Sequence, residues 1–555
     1  MPDRLRSLGL TASLLAGLLA VGLLSPGAEA GRDQQRRPNV LVLMTDDQTL
    51  ESVRVMTNVR RLLAERGTTF TRSFVSFSLC CPSRSTLFTG QYAHNHGVLG
   101  NRPPVGGYTK LDKTEWLPVW LQRAGYRTVH VGKFLNGYGR DAPPTEVPPG
   151  WSEWNASVDP STYNFYGYTL NENGLLATYG SNGDPAFYST DFYARRAAEQ
   201  IARHAPSPQP LFLSVAFLAP HSGGPREADD PPGLNTPAPA PRHRDVFRTA
   251  PVPTSPAFNE ADVSDKPANI RNRRPIGIVR ARSIEENYRQ RLESLLAVDE
   301  GIATILGALH DTDELRNTLV LFTSDNGFFH GEHRVPNGKV LVYEPSIRVP
   351  LIMRGPGVPR GARRTQLVTN ADLAPTILEA AGARATKPQD GRSLSGLLDD
   401  PGRQWGRDLL IEGAAPPAAE FDSIRTYRYL FAQYSTGERE LYDLTRDPHQ
   451  LDSRHLDPAY ARVQLELAGR LARLKTCVGR DCRRAPSVRL KVRRCAARVS
   501  GRSVERVRFR SRLRRVDARM PFRARVAGRH LRAHVRTLDG QVVTLDQRLP
   551  RGCRR

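Results

Sequence analysis

Asn39-Val40-Leu41-Val42-Leu43-Met44-Thr45 is a nearly continuous apolar run that ends in two carboxylates, Asp46 and Asp47. An apolar run of this length without alternation predicts a strand buried on both faces, as in a parallel sheet. Two later runs have the same design: 211–217, followed by Pro220-His221, and 318–324, followed by Asp325-Asn326. Because ligands bind at the carboxyl ends of the strands in open α/β sheets, these runs predict an α/β fold with one site at that edge.

Helices are predicted between these strands. Apolar residues recur at helical spacing from Leu292 to Leu309, and Ser283 with Glu286 forms a capping-box pattern, so we expect a helix from about Ser283 to Leu309. Another buried strand is predicted at 348–353. The stretch 222–282 is rich in Pro, Arg and Asp and predicts a long surface excursion that either shapes a substrate pocket or is a variable loop; the composition favours the loop.

The predicted secondary structure is different after about residue 400. Aromatic residues between Ile424 and Asp447 favour short antiparallel strands, and residues 458–474 are typical of a final helix. After Ser487, short pieces that alternate apolar and basic residues predict a small antiparallel β domain. We therefore expect a large α/β domain over 31–400, a sheet-and-helix subdomain over 401–486 and a basic β-rich tail over 487–555.

The first 30 residues have the pattern of a secretory signal. Arg4 and Arg6 precede an apolar stretch, and Ala28-Glu29-Ala30 is a small-residue cleavage pattern, so we expect cleavage after about Ala30 and a secreted protein. An uncleaved membrane anchor is the alternative, which is disfavoured because the apolar stretch is short and broken by Gly and Ser. No later segment is apolar enough to span a bilayer, so we expect no membrane span in the mature chain.

Positive charge is concentrated at the C-terminal end. Residues 487–555 contain 22 Lys and Arg but 4 Asp and Glu, a net charge of +18 that leaves +6 of the formal +24 for the preceding chain. Such a field attracts polyanions and is screened by salt. The tail lacks the aromatic platform of single-strand nucleic-acid binders. We expect polyanion binding without specific nucleic-acid recognition, or else a basic β domain with no ligand of its own.

Six cysteines in an exported chain favour disulfides. Cys477 and Cys482 are close in sequence, and Cys495 and Cys553 bracket the tail, so we predict these two bridges. Cys80 and Cys81 remain. A disulfide between neighbouring residues is rare and strained, which favours a special fate for Cys80.

These two cysteines open the stretch Leu79-Cys80-Cys81-Pro82-Ser83-Arg84-Ser85-Thr86-Leu87-Phe88-Thr89-Gly90. Pro is favoured in the first turn of a helix and Gly just past its end, so Pro82 to Thr89 is predicted to be a short helix. Cys80 would lie at the positive end of this helix, and Arg84 would offer a donor fork to a tetrahedral oxyanion. On composition alone, the alternative is a loop with two buried or disulfide-bonded cysteines.

The pattern Cys80-x-Pro82-Ser83-Arg84, followed by Thr89-Gly90, resembles the signature of type I sulfatases. The resemblance implies an alkaline-phosphatase-like mixed sheet sandwiched by helices, with a small C-terminal α+β subdomain. It also implies that Cys80 is oxidised to formylglycine, the catalytic nucleophile, by a formylglycine-generating enzyme. Cys81 does not match, because proline follows it directly.

The same resemblance implies the ligands of the site. The metal-binding matches are Asp46, Asp47, the modified Cys80, Asp325 and Asn326. Hard oxygen ligands select Ca²⁺ or Mg²⁺ over zinc, and family usage favours Ca²⁺. The catalytic matches are Cys80, Arg84, Lys133, His221 and Lys339. Most members carry a histidine at the position of Leu135, and Asn136 is the candidate donor in its place.

Within the family, Lys133-Phe134-Leu135-Asn136, the Cys80-Cys81 pair and the aromatic run 163–168 resemble the branch of glucosamine-6-sulfatases and extracellular endosulfatases. This implies hydrolysis of a sulfated glycan, in particular the 6-O-sulfate of N-acetylglucosamine in glycosaminoglycan-like chains, through a hydrated formylglycine. Two alternatives stay open. One is a phosphonate or phosphate ester hydrolase of the same superfamily; the other is an acidic-polysaccharide-binding protein with a vestigial site.

Overall fold

The structure, a computed structural model, describes residues 37–403, 405–415, 418–484, 488–501, 504–511, 515–518, 522–538 and 542–553. The predicted signal segment, 1–30, lies outside these residues. Within the described ranges, no helix is both long enough and apolar enough to cross a membrane.

A mixed sheet forms the centre of the large α/β domain. The strands before residue 400 are β1 Asn39–Thr45, β2 Thr68–Phe70, β3 Ser73–Phe74, β4 Arg127–Lys133, β5 Glu153–Ser157, β6 Tyr168–Glu172, β7 Leu175–Tyr179, β8 Leu211–Ala216, β9 Thr318–Ser324, β10 Leu351–Arg354, β11 Ala362–Arg364 and β12 Val368–Thr369. Ten of them form one sheet in the order β11-β2-β10-β9-β1-β8-β4-β5-β6-β7, and β12 pairs with β3.

Helices cover both faces of this sheet. The helices are α1 Cys80–Thr89, α2 Ala93–His96, α3 Leu117–Arg123, α4 Ser189–His204, α5 Ala268–Arg271, α6 Ile278–Asp311, α7 Glu344–Ile347, α8 Leu373–Ala381, α9 Ser395–Asp399 and α10 Ala461–Leu474. In β1, Val40 and Val42 pack in a core with α1, α3 and α8, whereas Leu41 and Leu43 pack in a core with α4 and α6. The unbroken apolar run is therefore explained by burial on both faces, as predicted.

The four central strands run parallel and end at the same edge of the sheet. β1 pairs in parallel with β8, from Val40 opposite Phe212, and with β9, from Asn39 opposite Thr318. On the far side of β8, β4 is parallel as well. The predicted parallel arrangement is confirmed, while the strand predicted at 348–353 is β10, which pairs antiparallel with β9.

The start of the long helix α6 differs from the prediction. The predicted capping box at Ser283 is wrong, because α6 begins at Ile278 and the Ser283 hydroxyl donates to the carbonyl of Val279 inside the helix, at 3.2 Å. The preceding segment is largely irregular and contains the short α5. It also lines a cavity of about 440 Å³, to which it contributes Pro253, Ser255 and Ala257.

A four-stranded antiparallel sheet follows the large domain. Its strands are β13 Leu409–Ala415, β14 Ala418–Arg425, β15 Tyr429–Tyr434 and β16 Arg439–Asp443, in sequence order, and α10 packs on them. The predicted short antiparallel strands and final helix are confirmed. A disulfide joins Cys477 to Cys482 just after α10, also as predicted.

The tail is a small β structure, as the alternating pattern predicted. Its strands are β17 Arg489–Arg493, β18 Ala496–Ser500, β19 Val504–Ser511, β20 Arg515–Ala518, β21 Arg523–Arg525, β22 His530–Thr537 and β23 Val542–Arg548. One sheet has the order β17-β18-β21 and the other the order β20-β19-β22-β23. Their inward residues share one core, and the predicted Cys495–Cys553 disulfide closes the tail.

Candidate active site

The candidate site lies where the four central strands end. Asp46 and Asp47 follow β1, Asp325 and Asn326 follow β9, and Lys133 is the last residue of β4. His221 lies in the loop after β8. Because neighbouring parallel strands end at one edge, residues that are far apart in sequence meet here, as the three apolar runs predicted.

The helix α1 brings Cys80 to the same place. It begins at Cys80, two residues before the predicted start, and ends at Thr89; the next residue, Gly90, has a φ of 68°, which suits a residue without a Cβ. The Cys80 thiol donates to Asp46 Oδ1 at 3.5 Å and accepts from Lys339 Nζ at 2.9 Å. Burial raises the pKa of this thiol, and the charge of Asp46 raises it further. Cys80 and Cys81 are both free and buried, so the alternative of a disulfide in this stretch is wrong.

Three carboxylates converge beside Cys80. Asp46, Asp47 and Asp325 are buried, and their oxygens come within 4.8 Å of one another. Asp47 has a φ of 64°, a left-handed backbone held by its N–H donating to Asp325 Oδ1 at 3.1 Å. The neighbouring Asn326 Oδ1 is buried and has no hydrogen-bond partner among the described residues. This donor set, with an orphaned amide oxygen beside three carboxylates, fits a hard divalent cation.

Three cations surround these carboxylates. Lys133 pairs with Asp46, Lys339 pairs with Asp47, and Arg84 reaches Asp46 Oδ2 at 2.9 Å. Burial by itself would raise the pKa of Asp46, but the charges of Lys133, His221, Arg84 and Lys339 bring that pKa well below its ordinary value. The pKa of Asp47 is lowered as well, so Asp46 and Asp47 are held ionised, which is the state that binds a cation, whereas burial and the charge of Asp46 raise the pKa of Asp325.

Each of the three guanidinium nitrogens of Arg84 donates to a protein oxygen. Its Nε donates to Asp325 Oδ2 at 2.8 Å, its Nη2 to Asp46 Oδ2 at 2.9 Å, and its Nη1 to the carbonyl of Lys133 at 2.8 Å. The side chain is 2% exposed. In this geometry Arg84 holds two carboxylates in place, whereas the sequence suggested a fork that faces the oxyanion directly.

His221 faces the cluster from the other side. Its Nδ1 lies 2.6 Å from the carbonyl oxygen of Ser222 and its Nε2 lies 3.8 Å from Asp47 Oδ2. Because a carbonyl only accepts, Nδ1 carries the proton in this contact, which leaves Nε2 turned towards the site. Burial, followed by the charge of Lys133, lowers the pKa of His221 to about 4.

Tyr163 lies beside Leu135 and Asn136, the two residues at which the sequence departs from the pattern it resembles. Leu135 is buried in the core, and Asn136 Nδ2 donates to the Tyr163 hydroxyl at 2.5 Å. The Tyr163 ring lies 4.6 Å from Lys133 Nζ and 5.2 Å from the His221 ring. Asn136 is thus a donor, as suggested, but its partner is Tyr163.

Sequence reasoning did not identify two further residues that support the site. Arg291 lies on the buried face of α6, donates to the carbonyl of Asp47 and stacks 3.8 Å from the Phe328 ring. Asn370 donates to the carbonyl of Ser83 in α1 at 3.1 Å. Arg291 could have been found from the sequence, because an arginine within the apolar face of a predicted helix is unusual. No sequence pattern marked Asn370 as a residue that supports the site.

Comparison with known proteins gives consistent matches. The family described as Sulfatase matches residues 38–383, and the family described as N-sulphoglucosamine sulphohydrolase, C-terminal, matches 331–477. A Caenorhabditis elegans protein named as an extracellular sulfatase Sulf-1 homologue is 37% identical over 366 residues, or 65% of this chain. The match spans 49% of that relative, so the chain covers about half of its length.

Two further comparisons extend over more of the chain. Human N-acetylglucosamine-6-sulfatase is 32% identical over 499 residues, which are 81% of this chain and 86% of that protein. A solved structure of a protein in complex with its substrate D-glucosamine-2-N,6-O-disulfate has a TM-score of 0.64 at 23% identity, over 79% of this chain and 97% of the other. At this identity the structural likeness shows the fold alone.

Proposed function

The chain belongs to the sulfatase family and is a sulfuric ester hydrolase; from this premise we propose that its substrate is the 6-O-sulfate of N-acetylglucosamine in glycosaminoglycan-like glycans. We propose further that Cys80 acts as formylglycine and that the carboxylate cluster holds Ca²⁺. One observation carries the proposal: Cys80 Sγ lies 2.9 Å from Lys339 Nζ and 3.5 Å from Asp46 Oδ1. The atom to be modified thus sits between a cation and the metal-binding carboxylates.

The modified Cys80 supplies the nucleophile in this proposal. Formylglycine, as its hydrate, offers one hydroxyl to the sulfur atom and a second that later releases sulfate. Cys80 is the first residue of α1, so this group would lie near the positive end of a helix. Formylglycine is formed by a maturation enzyme that acts on Cys80 in this proposal.

The lysines would neutralise charge on the sulfate oxygens. Lys133 and Lys339 approach Cys80 from two sides, each paired with a carboxylate. Burial lowers the pKa of Lys339, but the charges of Asp47 and Asp46 outweigh it and raise that pKa well above the ordinary value, which favours a cation. Positioned charges of this kind commonly contribute about 3 kcal/mol each to the stability of a transition state.

The metal would be held by Asp46, Asp47, Asp325 and Asn326. When bound, Ca²⁺ supplies Lewis-acid stabilisation of negative charge at the site. Arg84 serves this centre indirectly in our proposal, because its Nε and Nη2 orient Asp325 and Asp46 while its Nη1 donates to the Lys133 carbonyl. Arg84 is thus assigned as a positioning residue of the metal site.

His221 would handle the proton of the departing oxygen. The Ser222 carbonyl retains the proton at Nδ1, so the ring must first take up a second proton at Nε2 and would then give that proton to the leaving alkoxide. The Tyr163 ring, 5.2 Å from the His221 ring, restrains the imidazole from one side. A sulfate ester has a poor alkoxide leaving group, which is why a positioned imidazole matters here.

The substrate assignment rests on relatives. Human N-acetylglucosamine-6-sulfatase matches 81% of this chain, and the C. elegans relative is named as an extracellular sulfatase. The predicted signal over 1–30 supports secretion, and glycosaminoglycan-like chains occur outside the cell. The anchoring of such a chain would involve loops outside the cluster, among them the segment that precedes α6.

The first test is the mass of the tryptic peptide that contains Cys80, taken from protein secreted by its own host. We expect a loss of about 18 Da relative to the cysteine peptide, the difference between a thiol side chain and an aldehyde. An unmodified thiol in active protein would refute the proposed nucleophile. An unmodified thiol in inactive protein would favour the polysaccharide-binding alternative.

The second test compares substrates. We expect release of sulfate from N-acetylglucosamine-6-sulfate to exceed release from N-acetylgalactosamine-6-sulfate and from an aryl phosphate or phosphonate monoester by at least about tenfold in kcat/KM. A Cys80→Ala variant is the control that removes background hydrolysis. Faster turnover of the phosphate or phosphonate ester would favour the other hydrolase class, and equal rates on both sugars would refute the sugar assignment.

A further inference from the structure

One face of the tail is covered by cations. In the sheet β17-β18-β21, alternate residues point inward and pack in the tail core, among them Val492, Ala497 and Ala524. The outward positions are exposed. Six of these eight positions are basic, and the other two are Ala496 and Ser500; the basic residues are Arg489, Lys491, Arg493, Arg498, Arg523 and Arg525.

The strand register places like charges directly opposite each other. Lys491 is the partner of Arg498, and Arg498 is in turn the partner of Arg523. Neighbouring strands are about 4.8 Å apart, so these three cations form a row across roughly 10 Å of flat sheet. Like charges opposite each other in a sheet destabilise it. None of the outward positions of these three strands, all within the described residues, carries a carboxylate that would offset this repulsion.

In the other sheet of the tail, two arginines form ion pairs with carboxylates. There Arg532 pairs with Asp546 at 2.8 Å and Arg536 with Glu505 at 3.3 Å. Of the four acidic residues of the tail, three belong to strands of this second sheet, and Asp539 lies outside the described residues. The strands of that second sheet carry seven basic and three acidic residues, whereas β17, β18 and β21 carry six basic residues and no acidic one. We call the outward side of β17-β18-β21 the cationic face.

We propose that the cationic face docks a linear sulfated polysaccharide and so anchors the enzyme on a polymer, apart from the catalytic site. Arg forks bind tetrahedral oxyanions in a bidentate manner, and repeated sulfate groups on an extended chain match a flat grid of cations. The face presents no aromatic side chain, which argues against stacking of nucleic-acid bases. The binding itself is independent of catalysis; only the idea that the bound polymer is also the substrate rests on the proposed function.

The test uses two triple variants of the full-length protein. The face variant is K491S/R498S/R523S, and the control, R510S/R532S/R536S, removes the same charge from exposed positions of the other sheet. Binding of heparin is measured as a function of salt. We expect the affinity of the face variant to fall by at least about tenfold near physiological salt, and that of the control by less than about threefold. In the face variant, the slope of log affinity against log salt concentration should decrease in magnitude by about two to three, because fewer counterions are released on binding.

Three outcomes decide the proposal. Equal weakening by the two variants would mean that only net charge matters and would overturn it, as would an unchanged face variant. Tighter binding of single-stranded DNA than of heparin by the native protein, lost in the face variant, would assign the face to nucleic acid instead. Because the face variant relieves repulsion between exposed residues, its melting temperature should equal or exceed that of the native protein, which excludes misfolding as the cause.

Activity provides a separate readout. Turnover of a small sulfate ester should be unchanged in both variants, since neither removes a residue of the proposed catalytic site. The KM for a sulfated polymer should rise only in the face variant, with kcat unchanged. If the protein lacked activity on both substrates, the proposed function would fail, while the heparin measurement would still decide the docking face.

Discussion

Replacement of Arg84 by methionine tests the arrangement of the metal site through stability. Arg84 is 2% exposed and bonds Asp46 at 2.9 Å and Asp325 at 2.8 Å, both fully buried. Removing one partner of a buried ion pair costs about 3–5 kcal/mol, because a charge is left buried without compensation. Asp46 keeps Lys133, and Asp325 keeps the N–H of Asp47, so we expect the lower end, about 3 kcal/mol, in metal-free protein.

Calcium should reduce that loss. A divalent ion at Asp46, Asp47 and Asp325 would neutralise the carboxylates that Arg84 leaves behind, so the variant gains more from calcium than the native protein does. The assay is urea unfolding of the native protein and of Arg84→Met, each in EDTA and in saturating Ca²⁺. We expect the difference in free energy of unfolding to fall in Ca²⁺ to less than half of its value in EDTA.

A second buried pair provides the matched control. Arg407 binds Asp372 through Nη1 at 2.6 and 2.8 Å, with both side chains fully buried and no acidic cluster of the metal type around them among the described residues. Arg407→Met should therefore lose a similar free energy of unfolding with no dependence on calcium. A loss at Arg84 that is the same in EDTA and in Ca²⁺, or one below about 1 kcal/mol in EDTA, would refute the reasoning.

Three further predictions follow from individual contacts. The His94 ring donates to Glu412 and to the carbonyl of Cys477, both at 2.9 Å, and these contacts outweigh burial and raise its pKa from 6.5 to about 9. A group whose pKa is raised in the folded state stabilises the fold below pH 6.5, and this stabilisation is lost as the pH rises to 9. Between pH 6 and 9.5, the free energy of unfolding in urea should therefore fall by about 2 kcal/mol more in the native protein than in His94→Gln. Equal decreases in the two proteins would contradict this. Cys80→Ser has one hydroxyl and should stall as a sulfated enzyme, seen as a mass gain of about 80 Da on the serine peptide, whereas repeated turnover would contradict the hydrated-aldehyde mechanism. Tyr163→Phe keeps the ring beside Lys133 while Tyr163→Ala removes it, so kcat/KM on a small sulfate ester should fall about tenfold further in the alanine variant; equal losses would show that the hydroxyl, and not the ring, matters.

The main strands could be predicted because strands that are buried on both faces consist almost entirely of apolar residues. β1 and β9 occupy the predicted ranges 39–45 and 318–324, since residues covered by helices on both faces are apolar without alternation. The start of α6 could not be predicted in this way. Residues 278–283 carry no apolar periodicity, because the first turns of the helix are largely exposed, and a local Ser–Glu spacing was mistaken for its cap.

The members of the site were identifiable, but their contacts were not. Polar residues directly after buried strands, and a cysteine before a Pro-x-Arg pattern, pointed to the cluster. Arg84 looked equally able to face an anion or a carboxylate. The structure places carboxylates on two of its nitrogens, an outcome that depends on β1 and β9 being neighbours. Pairing between strands that are distant in sequence leaves no local signal.

The sequence by itself determined the α/β class, the two disulfides, the basic β tail and the polar residues that follow the buried strands, because burial, cysteine spacing and turn chemistry act over short distances along the chain. Lys133 and Lys339 were candidates only through the family resemblance. Only the tertiary structure decided which cation meets which carboxylate, that Asn136 binds Tyr163, and that six basic residues of the tail share the outward side of one sheet without an acidic neighbour on it. Those contacts follow from strand order and register, which are set by the packing of the whole molecule.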